Sequence, residues 1–144
     1  MKKDMQFFAV TTLAASLAFA TVAYAQAPMP QPQTQQHGQM SVAYLNGGAG
    51  DEEVQYIKQS MKDYSVALVF ARAASPKAEY VANVEVTVKD DKGNALFEAP
   101  SVGPYLLLQL PAGSYAVTAI YQGQAQTRTV SAGKSATLVT FQWK

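Results

Sequence analysis

The chain has 144 residues, a formal net charge of +1, a single histidine and no cysteine. Without cysteine no disulfide scaffold can form, so a hydrophobic core must hold the fold alone, and the length suits one domain rather than two. The near-neutral balance also excludes the concentrated Lys and Arg that nucleic-acid binding requires, and with it an electrostatic membrane-surface binder.

The chain opens MKKDMQ, continues FFAVTTLAASLAFATVA and reaches AYA before Gln26. A short charged segment, an apolar segment and a small-x-small site in that order make a secretory signal, residues 1–25, cut after Ala25, with an uncleaved anchor as the alternative. The expected location is periplasmic or secreted. No cysteine follows the apolar run, which excludes lipid modification there. The remainder carries nine basic and nine acidic side chains.

Residues 26–41, beginning QAPMPQPQTQQHGQM, are rich in Pro and Gln and lack an apolar period; they read as a disordered linker before a domain at 42–144. Next comes NGGAGDEEVQY, residues 46–56, with three glycines and three consecutive acids. A phosphate loop would want a lysine and bare N–H groups there, and acids repel an anion. The stretch reads instead as the start of a helix at about 51–62, with Asp51 as N-cap and Glu52 and Glu53 at the positive end of its dipole. Val54, Ile57 and Met61 form its apolar stripe.

From Tyr64 onward the period is two. YSVALVFA, NVEVTVKD, NALFEA, PYLLLQLP, SYAVTAIY, AQTRTVS and ATLVTFQW read as seven strands. The turn Asp90, Asp91, Lys92, Gly93 joins the second to the third, and AQTRTVS has the polar look of a sheet edge. PYLLLQLP breaks the alternation. If Leu106, Leu108 and Leu110 face the core, Tyr105 and Leu107 need a second cover, which Val54, Ile57 and Met61 would supply.

VEVTVKDDKGNALFEA, LLLQLPAGSYAVTA and VSAGKSATLVTF, spanning Val84 to Phe141, resemble the carboxypeptidase regulatory-like domain family, LPAGSYAVTA being similar to its LPPGTYTVTA element. The resemblance implies an all-β, seven-stranded Greek-key sandwich of the transthyretin-like (prealbumin-like) kind. It implies no particular activity, because a fold does not fix what its sites do.

For catalysis, the single His37 falls in the linker, so no Ser-His or Cys-His pair assembles in the domain. Asp51, Glu52 and Glu53, or Asp90 and Asp91, would have to converge on a cleft to act as a carboxylate-dependent hydrolase; helix and turn chemistry accounts for them. No metal or cofactor is expected. Met29, His37 and Met40 could catch copper, but read as incidental residues of a tail. Tyr80, Tyr105, Tyr121 and Trp143 offer aromatic area for sugar or peptide, or belong to the core and its rim.

The expected function is a non-catalytic binding or accessory module that contacts another envelope protein, with Tyr105, Leu107, Tyr121 and Trp143 as the candidate partner surface. A sheet edge open to strand addition is the other means. An inhibitor or chaperone of an exported protein is the alternative, and self-association is left open.

Overall fold

The computed structural model describes residues 29–144; the expected signal, and residues 26–28 of the expected linker, lie outside them. The described chain is a two-sheet β-sandwich of ten strands with one short helix. Each of the seven stretches read as strands overlaps one, the third of them running three residues further than read. They are β3 (Val66–Arg72), β5 (Val84–Lys89), β6 (Ala95–Val102), β7 (Tyr105–Gln109), β8 (Gly113–Tyr121), β9 (Gln124–Ala132) and β10 (Thr137–Trp143). The three others are β1 (Gln33–His37), β2 (Met40–Gly47) and the two-residue β4 (Glu79–Tyr80), which sequence periodicity did not disclose.

The reading of residues 26–41 as a disordered linker is therefore corrected from Gln33 onward. β1 and β2 form an antiparallel hairpin in which His37 faces Met40 across a two-residue turn. Gly38 opens that turn at φ 61°, a conformation that glycine adopts without steric cost and that matches the twist of the strands. The signal was hidden because β1, QTQQH, buries neither face, so nothing forces an apolar alternation upon it.

One sheet runs β1-β2-β7-β3-β10, with β4 pairing to β3 past the end of β7; the other runs β6-β5-β8-β9. Neighbours are antiparallel except β10, which lies parallel to β3. Between the sheets Val66, Leu68 and Phe70 of β3 and Leu106 and Leu108 of β7 meet Val84, Val86 and Val88 of β5 and Val117 and Ala119 of β8. Leu110, just past β7, joins them. The alternate residues of β3 and β7 are buried too, on the opposite face, where Ala67, Val69, Tyr105 and Leu107 pack with Leu45 and Ile57. This is why β3 and β7 read as continuous apolar runs.

Helix α1 (Asp51–Ser60), continued by a 3-10 turn at Met61–Asp63, supplies the second cover. Ile57 is fully buried, with Val54, Tyr56 and Met61 packed around the same cluster. Full burial of a side chain such as Ile57 contributes about 1.5–3 kcal/mol.

Both flanks are sewn by side chains reaching backbone across the sheets. On one, the Gln35 amide donates to Glu98 O (2.7 Å) while its oxygen accepts from Glu98 N–H (2.7 Å), so one side chain pairs with β6 as a strand would. On the other, Gln126 donates to Gln142 O (2.8 Å), Thr137 to Ser131 O (2.8 Å) and the Trp143 indole to Gln124 O (2.9 Å). These bonds occupy edge groups that would otherwise invite another chain.

Candidate functional site

The helix covers only part of the outer face of the six-stranded sheet. Its position follows from Gly47 and Gly48. A Cβ on Gly47 would meet Pro30 Cγ at 2.6 Å and Ile57 Cδ1 at 3.0 Å. One on Gly48, at φ 113°, would meet the Tyr105 ring at 2.6 Å. The close crossing of α1 over β2 and β7 thus needs both glycines. The N-cap is Gly50, not Asp51 as expected from sequence, and no side chain caps the helix there. Asp51, Glu52 and Glu53 occupy the first turn, where their charges oppose the positive dipole end. Glu53 also reaches back to accept from the Gly48 N–H (3.3 Å), tying the entry loop to the helix.

Of the candidate partner surface, Leu107 is fully buried beneath α1 and Tyr105 is nearly so, reaching solvent only at the wall of a groove beside that helix. Trp143 is buried in the inter-sheet core, and Tyr121, half-buried, packs on it with ring centroids 5.4 Å apart. The four residues do not form one exposed face. Tyr80 stands 5.6 Å from Tyr105 with the rings inclined at 37°, and Tyr121 and Trp143 are inclined at 54°, so the four rings make two angled pairs instead of a flat platform.

What the outer face does present is a groove beside α1, of about 470 Å³, over the β3 and β10 half of the sheet. Its apolar lining is Met61, Val69, Ala71, Tyr80, Tyr105 and Leu138, with Lys58, Thr140 and Gln142 among its polar groups. Leu138 and Tyr80 are the two large hydrophobic residues left exposed among the described residues, at 60% and 61%. Leu138 shares its face of β10 with Thr140 and Gln142, so its apolar character on a polar face was the sequence signal for the groove. Burial pushes the Tyr105 phenol up to about 12, helped by the Tyr80 hydroxyl beside it. It therefore stays protonated as a donor.

The carboxylates have local duties. Asp90 accepts from the backbone N–H groups of Asn94 (2.8 Å) and Lys92 (2.9 Å), which closes the β5–β6 turn and, chiefly through Asn94, holds its pKa below the usual range. The three consecutive acids on α1 project about 100° apart around the helix, so they diverge. Among the described residues no three His, Asp or Glu side chains gather as a metal site would require. His37 ends β1, pairs in register with Met40 and is half-buried. Among those residues, too, no helix is long and apolar enough to cross a membrane.

The chain matches no protein-family model, and no curated protein matches it.

Proposed function

We propose that this chain is an exported, non-catalytic accessory module that docks on another protein of the cell envelope through the groove beside α1. The observation that carries the reading is the pair of exposed apolar residues, Leu138 and Tyr80, on the half of the outer sheet face that α1 leaves uncovered. An apolar concavity with a few polar groups on its rim is the usual form of a recognition site. Export rests on the signal-like N-terminus of the sequence.

The sandwich is proposed to be of the transthyretin-like kind. Supporting this, setting aside β1, β2 and β4 leaves seven strands arranged β7-β3-β10 against β6-β5-β8-β9, with the path crossing between sheets from β6 to β7 and back to β8. The LPAGSY turn adds support. Tyr115 donates its hydroxyl to Pro111 O (2.6 Å), locking the corner that leads into β8.

The test is a photo-crosslinking residue at position 138 in the producing cells, with position 129 on β9 as the control. The expected result is a protein adduct of one defined mass at 138 and none at 129, lost when Tyr80→Ala is combined with the probe while thermal stability is kept. Equal labelling at both positions would remove the groove as a docking site.

A further inference from the structure

Tyr80 also borders a second hollow, different in chemistry from the groove. It measures about 580 Å³ and lies at the end of the sandwich where β4 approaches the β8–β9 turn, lined by Arg72, Glu79, Tyr80, Asn83, Tyr121 and Gln122 among others. That volume falls within the ~300–1,000 Å³ typical of small-ligand sites.

Its polar groups are hydrogen-bonded to one another or to a close neighbour. Arg72 donates from Nε (2.9 Å) and Nη2 (2.7 Å) to the same oxygen, Oε2, of Glu79, which leaves the other carboxylate oxygen as an acceptor and further guanidinium N–H groups as donors. Ser101 donates to Asn83 Oδ1 (3.0 Å), leaving the Asn83 amide N–H groups as donors. Gln122 donates to the Tyr121 hydroxyl (3.3 Å), leaving its carbonyl as an acceptor. Asn83 (φ 59°) and Gln122 (φ 49°) are also the two non-glycine residues with left-handed backbone among those described, Gln122 in the β8–β9 turn.

Two tyrosine rings accompany these groups, one exposed at 61% and anchored on Tyr105, the other anchored on Trp143. We infer that this cleft binds a neutral saccharide. The C–H face of a sugar ring stacks on an aromatic ring, and its neighbouring hydroxyls each need a donor and an acceptor, which the Arg72–Glu79 fork and the two amides provide together. An anion would face Glu79 and a cation would face Arg72. A purely apolar ligand would strip water from four polar side chains without replacing their hydrogen bonds, at a cost that its own burial does not recover.

The saccharide site stands on residues outside the docking groove except for Tyr80, so the two fail separately. The test uses the protein purified from its producing cells. It is titrated with short oligomers of β-1,4-linked glucose, α-1,4-linked glucose and β-1,4-linked N-acetylglucosamine while nitrogen–proton NMR spectra are recorded. At least one oligomer is expected to shift the side-chain amide signals of Asn83 and Gln122 and the Arg72 Nε–H. Tyr80→Ala, an exposed site where folding is not at stake, should weaken that binding about tenfold. Asn83→Ala should weaken it as well, and Leu138→Asp, which alters only the groove, should leave it unchanged. No shift at these signals with any oligomer at about 10 mM would overturn the inference, that being weaker than the weakest affinities of interest here. So would undiminished binding by the Tyr80→Ala and Asn83→Ala variants, or shifts produced by a proline-rich peptide and by no saccharide.

Discussion

Ser65 is the single buried polar residue among those described, and its hydroxyl is fully used. It accepts from the Leu110 N–H (2.8 Å) and donates to Leu110 O (3.0 Å), so it pairs with backbone just where β7 has ended and the ladder can no longer do so. Leaving such a buried N–H unpaired costs about 1–3 kcal/mol, which is why a serine stands in an otherwise apolar run. Tyr105 shows the same economy with a titratable group. Its phenol ionises at 10.0 in the unfolded chain and at about 12 in the folded one. Below 10 both states keep the proton and its contribution to stability is complete. As pH rises past 10 the unfolded chain loses the proton first, and stability drains away until the folded group ionises near 12. Thermal midpoints measured from pH 9 to 11 should therefore fall less steeply for Tyr105→Phe than for the unaltered protein. Parallel slopes would show that the phenol is not held protonated by its surroundings.

Among the elements, α1 depends on tertiary contacts. It has ten residues and no side-chain N-cap, shorter than an isolated helix that persists in water. What holds it is Ile57 set over Leu45, Tyr105 and Leu107, together with the two glycines that let it approach. Ile57→Ala should cost about 2–5 kcal/mol in urea unfolding, because the cavity forms between helix and sheet where the backbone has little freedom to collapse. A loss under about 1 kcal/mol would mean that the helix rides loosely on the sheet. The sequence foretold this packing from the unbroken apolar run of β7. It did not foretell that the same cover would bury Leu107 fully and leave Tyr105 only at the wall of the groove.

Across the whole molecule, the sandwich is closed at one flank by Gln35 and at the other by Gln126, Thr137 and Trp143. Gln35 joins residues 63 apart in sequence, and its two 2.7 Å bonds hold β1 against the edge of β6. In Gln35→Ala the Glu98 N–H loses its partner, and its hydrogen exchange is expected to speed up several-fold while amides in the centre of β3 keep their protection. An unchanged Glu98 rate would show that the edge is closed by other means. These bonds engage backbone groups of Glu98, Gln124, Ser131 and Gln142 only, so the outer edge of β1 and the uncovered half of the outer face both stay open to a partner.

The sequence by itself determined the all-β character, the positions of the strands from β3 to β10 apart from β4, and the existence of one amphipathic helix. Apart from β9, which buries only Val130 and Ala132, those elements bury residues along a face, and burial stamps a period of two or of three and four on the residues. Only the tertiary structure decided the β1–β2 hairpin, the Gln35 clasp, the fate of Tyr105, Leu107 and Trp143, and the company kept by Tyr80. A strand exposed on both faces leaves no apolar pattern to read. The groove and the cleft, for their part, are assembled from β3, β4, β8, β10 and α1, whose meeting depends on long-range strand register and not on the order of neighbouring residues.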